Sequence, residues 1–135
     1  MLLIGPPGSG KSDLLLRLMQ HGFSVVADDQ VIIEDGLARA PATLAGLLEI
    51  RGLGIVRVAH AAMVRLALVV ELAGPVDRLP EPARHTALDL PMMRLDPWRA
   101  SAPSIVAMAL DCALGRVSQL AGAFVSISPM EDSKA

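Results

Sequence analysis

The segment from Gly5 to Ser12 constrains this chain more than any other feature of its sequence. It reads Gly-Pro-Pro-Gly-Ser-Gly-Lys-Ser and follows the pattern G-x-x-x-x-G-K-[ST] of a phosphate-binding loop. The apolar run Met1 to Ile4 before it predicts a buried strand. Apolar residues at helical spacing predict a helix from Lys11 to Gln20, with Gly22 after its end. A glycine-rich turn between a strand and a helix predicts a site for a nucleotide or pyrophosphate.

Each part of this loop has a physical task. Glycines let backbone N–H groups turn toward phosphate oxygens, and the following helix presents its positive end. We expect Lys11 to reach the outer phosphates and the Ser12 hydroxyl to bind Mg²⁺. Lys11 and Lys134 are the chain's two lysines, in a sequence that otherwise uses arginine. The predicted binding residues are Gly5, Pro6, Pro7, Gly8, Ser9, Gly10, Lys11 and Ser12.

Composition removes several classes of function. A net charge of −2 provides no basic field for nucleic acid or for an anionic membrane. Cys112 is the single cysteine, so that no intramolecular disulfide can form and a reducing, cytoplasmic setting is expected. No apolar run reaches the roughly 18 residues of a membrane span. With 135 residues, 53% of them hydrophobic, the chain should form one domain over residues 1–128 with a polar tail over 129–135.

The remaining pattern predicts an α/β fold with a mixed, partly antiparallel sheet and flanking helices. Asp35-Gly36 predicts a tight hairpin turn between short apolar segments. We expect a long surface loop from Gly74 to Pro97, because proline and charge are frequent there without sustained periodicity. The other expected elements are strands at Phe23–Ala27, Gly54–Val58 and Val64–Leu72, a short helix within Pro41–Leu48, and a helix Ala102–Leu114 capped by Ser101 that buries Ile105, Met108, Ala109 and Cys112.

Acidic residues follow the loop at two places. Asp28 and Asp29 come directly after the expected strand Phe23–Ala27, and carboxyl ends of neighbouring strands meet at one crevice. One carboxylate there could position Mg²⁺ while the other takes a proton. Glu49 and Arg51 lie in a mostly apolar stretch, and their spacing alone is equally typical of an ordinary surface pair.

Three blocks in this order resemble the HPr kinase/phosphorylase family, specifically its C-terminal catalytic domain. They are the phosphate-binding loop, the segment Val-Val-Ala-Asp-Asp ending at Asp29, and Leu-Glu-Ile-Arg-Gly-Leu-Gly-Ile from Leu48 to Ile55. The resemblance covers Leu2 to Val58 and implies a bifunctional enzyme. Such an enzyme phosphorylates a serine of the phosphocarrier protein HPr and removes that phosphate by attack of inorganic phosphate, releasing pyrophosphate.

The resemblance also implies roles for residues and partners. Asp28 would handle the proton, and Ser12, Asp29 and Glu49 would form the Mg²⁺ environment. Arg51 and Arg78 would stabilise charge on the transferred group. ATP, or pyrophosphate, would be the phosphoryl donor, an HPr-like carrier the protein partner and a homohexamer the assembly.

The chain also departs from the family pattern. The sequence begins on the first strand, without the N-terminal domain of longer members, which predicts a short form. The family places a histidine before that strand, and this histidine is either lost or lies upstream of Met1. The family's Arg-x-Gly-Arg-Asn turn is replaced by Arg94 to Arg99, with Trp98, the chain's single tryptophan, inside it. Trp98 is interpreted equally well as a protein-contact anchor or as a local packing residue. Two other functions stay open, a small-molecule or nucleotide P-loop kinase and a nucleotide sensor without catalysis.

Overall fold

A four-stranded mixed sheet positions the phosphate-binding loop. The structure is a computed structural model, and it describes residues 1–125. Strand β1 (Leu2–Ile4) leads through the loop into helix α1 (Lys11–Gln20), as the sequence predicts. The sheet order is β1, β7 (Val69–Leu72), β9 (Leu90–Leu95) and β8 (Ala83–His85). β1, β7 and β9 are parallel, and β8 is antiparallel to β9, which confirms a mixed sheet with antiparallel strands.

The register places the ends of the parallel strands side by side. Ile4 lies opposite Glu71, and Glu71 lies opposite Arg94. The loop that begins at Gly5 therefore shares one sheet edge with the segments that follow β7 and β9. Ligands of open α/β sheets bind outside this carboxyl edge.

Two smaller sheets lie outside the four-stranded one. β2 (Ile32–Glu34) and β3 (Leu37–Arg39) form the predicted hairpin, which β6 (Val64–Arg65) extends. Asp35 at φ 52° and Gly36 at φ 77° give the turn the two positive angles of a type I′ hairpin. β4 (Leu47–Ile50) pairs with β5 (Gly54–Arg57) in a second antiparallel hairpin.

Three expected helices and strands differ from the structure. Residues 23–27 do not form a strand, since only an isolated bridge joins Val25 to His60 there. The parallel neighbour of β1 is instead β7, which follows far along the chain. The expected helix within Pro41–Leu48 is a 3₁₀ turn, Ala42–Leu44, followed by β4. The expected strand Val64–Leu72 is divided into β6 and β7.

The prediction of a surface loop from Gly74 to Pro97 is wrong, because this segment contains β8 and β9. β9 contains Pro91, which argues against a strand in a sequence. Pro91 pairs only with Arg84 of β8, and the pairing with β7 begins at Met92. The residue that lacks an N–H thus lies outside the part of β9 that pairs on both sides.

The main core lies between the four-stranded sheet and the helices α1 and α2 (Ala102–Ala113). The fully buried side chains there include Leu14, Leu68 and Val106. α2 buries Ala102, Pro103, Val106 and Ala109, and Cys112 is half-buried against the core. Ile105 and Met108 are exposed, so the predicted buried face is wrong at these two positions. Ser101 makes no side-chain hydrogen bond that caps α2.

Over residues 1–125 no helix is long and apolar enough to cross a membrane. The predicted polar tail 129–135 and the domain boundary at 128 lie outside the described residues.

Candidate nucleotide-binding site

The phosphate-binding loop connects β1 directly to α1. Ser9 N–H donates to the carbonyl of Pro6 at 3.1 Å and closes a turn. Gly10 stands immediately before the helix with φ 93°, a region that a side chain disfavours. The carbonyl of Gly10 accepts the first helical hydrogen bond, from Leu14 N–H at 2.9 Å. The backbone N–H groups before Leu14 in the first helical turn have no acceptor within the helix, so they are available to an anion.

Lys11 crosses the mouth of the loop. Its ammonium donates to the carbonyl of Gly5 at 2.6 Å, and the side chain is half-buried. An ammonium carries three donor hydrogens, so this bond leaves donors for a phosphate oxygen. The Oγ of Ser9 is buried inside the loop and has no hydrogen-bond partner among the described residues. A buried hydroxyl without a partner at this position is suited to a ligand oxygen.

Asp28 connects the loop helix with β4. Its Oδ1 accepts from the Ser12 hydroxyl at 3.0 Å, and its Oδ2 accepts from the backbone N–H of Glu49 at 3.3 Å. These bonds bring together three segments that are far apart in the sequence. The two acidic segments found in the sequence therefore meet at the end of the phosphate-binding loop.

Within residues 1–125, the side chains of the other predicted site residues make no hydrogen bond to the loop. Asp29 and the side chain of Glu49 are exposed next to this contact, and the carboxylate on Ser12 is Asp28 rather than Asp29. Arg51 is exposed in the turn between β4 and β5, and Arg78 is exposed in the segment between β7 and β8. Among the hydrogen bonds and ion pairs of residues 1–125, none joins either arginine to the loop.

The donor set fits Mg²⁺ shared with a phosphate ligand. Residues 1–125 contain no group of three His, Cys, Asp or Glu side chains arranged to hold a metal ion alone. Mg²⁺ in nucleotide sites needs no such cage, because it takes one or two carboxylates, the phosphates and water. The Ser12 hydroxyl, bound to Asp28 at 3.0 Å, is an oxygen donor of this kind, and Asp29 and Glu49 supply exposed carboxylates next to that contact.

Sequence reasoning missed a connection between α1 and the segment after β9. Arg17 donates to the carbonyls of Pro97 and of Arg99, the latter at 3.3 Å. Asp13, one turn earlier on α1, holds the Arg17 guanidinium at 3.0 Å. The Asp13–Arg17 spacing is visible in the sequence as an i, i+4 pair, but the carbonyl partners are not.

Comparisons with known proteins identify the family and the fold. Residues 1–73 match the model of the HPr Serine kinase C-terminal domain. An HPr kinase/phosphorylase of Lactobacillus delbrueckii subsp. bulgaricus is 44% identical over 63 residues, which are 43% of this chain and 20% of that protein. An HPr kinase/phosphorylase of Xylella fastidiosa is 38% identical over 100 residues, 65% of this chain and 31% of that protein. The chain thus spans a fifth to a third of these relatives.

A solved structure gives the same fold. The Hpr(Ser) kinase/phosphatase from Coxiella burnetii aligns with a TM-score of 0.62 and 22% identity, over 83% of this chain and 81% of that one. The alignment extends well beyond residue 73, so the fold likeness includes segments that the family model does not match. Because that model matches more than half of the chain, the protein belongs to the family of the HPr serine kinase C-terminal domain.

Proposed function

We propose that this protein is a Mg²⁺-dependent kinase that transfers the γ-phosphoryl group of ATP to a serine of an HPr-like carrier protein. We propose further that it removes that phosphate by phosphorolysis. The observation that carries the proposal is the hydrogen bond between Asp28 and Ser12, because it puts a carboxylate at the end of the phosphate-binding loop. The names of the relatives, HPr kinase/phosphorylase, support the same reaction and the same partner.

In the kinase direction, Asp28 accepts the proton of the serine hydroxyl as the serine oxygen bonds to the γ-phosphorus. The bond from the γ-phosphorus to the bridging oxygen breaks, and ADP leaves with that oxygen. Lys11 binds the outer phosphates with the donors that its bond to Gly5 leaves free. Arg51 and Arg78 approach the transferred group and stabilise its negative charge.

In the reverse direction, the nucleophile is an oxygen of inorganic phosphate. Asp28 takes its proton while the oxygen bonds to the phosphorus of the phosphoserine. The bond between phosphorus and the serine oxygen breaks, pyrophosphate is released, and Asp28 returns a proton to the serine oxygen. One carboxylate thus serves both directions.

Ser12 is the expected magnesium residue of the loop, with Asp29 and Glu49 beside it. When bound, Mg²⁺ supplies charge neutralisation for the phosphates. Asp28 accepts from Ser12 and from Glu49 N–H, so it can orient the Ser12 oxygen and hold β4 against the loop.

Intact-mass spectrometry of an HPr-like carrier tests the proposal. The carrier is incubated with this protein, Mg²⁺ and ATP, and then with excess inorganic phosphate. We expect the mass of one phosphate on a serine, its loss on addition of phosphate, and neither change with Lys11→Ala. Arg84→Ala is the control, because it also removes a cationic side chain, in this case an exposed one that pairs with Asp89 away from the loop.

Other outcomes contradict the proposal in different ways. ATP binding without phosphate on the carrier would indicate a nucleotide sensor, and phosphate on a small molecule instead would indicate a small-molecule kinase. Unchanged activity in Lys11→Ala would remove the phosphate-binding loop from the reaction. Circular dichroism of the variant shows whether a loss of activity is a loss of fold.

A further inference from the structure

An exposed indole lies against the phosphate-binding loop. Trp98, the chain's single tryptophan, has 67% of its surface exposed. A Cβ atom on Gly10 would lie 3.2 Å from Cη2 and from Cζ2 of Trp98, so the benzene edge of the indole contacts the last glycine of the loop. The absence of a side chain at Gly10 is what allows this approach.

The backbone under this indole is fixed. Trp98 N–H donates to Oδ1 of Asp96 at 3.0 Å, and the neighbouring Pro97 is buried. Arg17 of α1 binds the carbonyls on both sides of Trp98, those of Pro97 and Arg99. Asp13 holds Arg17 in turn. The backbone that carries the ring is thus hydrogen-bonded to α1, whose N-terminus completes the phosphate-binding loop.

We propose that Trp98 is the platform on which the base of the bound nucleotide stacks. The inference rests on the proposed function, since it requires a nucleotide whose phosphates lie in the loop. Such a nucleotide carries a flat base a short distance from the loop, and the exposed aromatic surface anchored beside Gly10 matches it in chemistry. Stacking of a base on an aromatic side chain uses only π-faces and does not require a hydrogen-bonding reader.

This role has a definite signature in binding measurements. Removal of a stacking ring weakens base binding by about ten-fold or more and has no effect on a ligand without a base. Because every base has a π-face, ATP and GTP should lose affinity to a similar extent. Phenylalanine provides a smaller aromatic face and should restore most of the affinity.

Calorimetric titration with ATP and with tripolyphosphate, at equal Mg²⁺, tests the proposal. We expect Trp98→Ala to raise the Kd for ATP about ten-fold, while the Kd for tripolyphosphate stays within about two-fold of the wild-type value. Trp98→Phe should bind ATP nearly as the wild type does. Leu120→Ala is the matched control, since it removes an apolar side chain that is 98% exposed after α2.

The single tryptophan also reports directly on the contact. Its fluorescence should be quenched by ATP and much less by tripolyphosphate in the wild-type protein. Equal losses of affinity for both ligands in Trp98→Ala would show that the ring only supports the loop. Unchanged ATP affinity in this variant would show that no base stacks on the ring. Either result overturns this inference and leaves the proposed function standing. Wild-type protein that binds neither ligand overturns the proposed function and this inference together.

Discussion

Asp28 accepts one hydrogen bond from Ser12 of the phosphate-binding loop and one from the backbone of β4. Sequence reasoning could predict its position beside the phosphate-binding loop, because an acid at the carboxyl end of a neighbouring strand commonly reaches the ligand edge of the sheet. It could not predict which acid contacts Ser12, since Asp28 and Asp29 are adjacent and chemically identical. Backbone direction decides this, and the structure selects Asp28. The strand expected to position both acids does not form, yet Asp28 reaches the loop.

Asp28→Asn separates a role in proton transfer from a role in binding. The amide has nearly the shape of the carboxylate and can keep both contacts, its oxygen accepting from Glu49 N–H and its nitrogen donating to the Ser12 oxygen, but it cannot take the serine proton. We expect phosphate transfer to fall by at least about 100-fold and the Kd for ATP to change by less than about three-fold. Transfer is measured by intact mass and Kd by calorimetry.

Asp35→Asn is the control for this change. It makes the same replacement in the β2–β3 turn, where asparagine tolerates the positive φ of 52°. Activity in this control should equal that of the wild type. Full activity in Asp28→Asn would contradict the proton-handling role.

At the scale of elements, the prediction succeeded where a local rule fixes the conformation. Asp35-Gly36 determines the β2–β3 hairpin, and the loop motif determines the connection of β1 to α1. The prediction failed where a strand is specified by pairing with strands far away in the sequence. β9 carries Pro91 and a mixed pattern, and what makes it a strand is its place between β7 and β8. No local signal in Leu90–Leu95 specifies those neighbours.

Gly46 positions the β4–β5 hairpin that brings Glu49 to Asp28. It is buried at φ 76°, and a Cβ there would lie 2.8 Å from Nδ1 of His60 and 3.0 Å from the carbonyl oxygen of Val58. Gly52, at the other end of β4, has a similar φ of 87° but open space around it. A side chain at either glycine would therefore strain the backbone, but only a side chain at Gly46 would also clash with neighbouring atoms.

Alanine at each glycine measures that difference. The positive φ alone should lower the free energy of unfolding by about 1–2 kcal/mol in Gly52→Ala. Gly46→Ala should lose at least about 1 kcal/mol more, because the methyl group meets backbone as well as a side chain. Urea denaturation measures both, and equal losses would show that the hairpin moves freely away from Val58 and His60.

One hydrophobic core joins residues 1–73, which the family model matches, to the residues that follow them. Leu14 and Leu18 of α1 and Val70 of β7 pack in the same cluster as Leu95 of β9 and Val106 of α2. Residues 1–73 carry the recognisable motifs, yet their core is completed by residues after 73. This explains how the fold likeness to the Coxiella burnetii protein covers more of the chain than the family model does. The hexamer implied by the sequence resemblance stays a prediction.

Two neighbouring side chains on α2 test which face completes this core. Val106 is fully buried and Ile105 is 37% exposed, although the sequence pattern favoured Ile105 as the buried residue. Val106→Ala should lower the free energy of unfolding by about 2–3 kcal/mol, through lost apolar burial and the cavity left behind. Ile105→Ala removes a larger side chain with the same gain in helix propensity, but it should cost less than about 1 kcal/mol because water already reaches it. Urea denaturation of the two variants compares them directly. A larger loss for Ile105→Ala would mean that α2 is rotated about its axis and buries the face that carries Ile105.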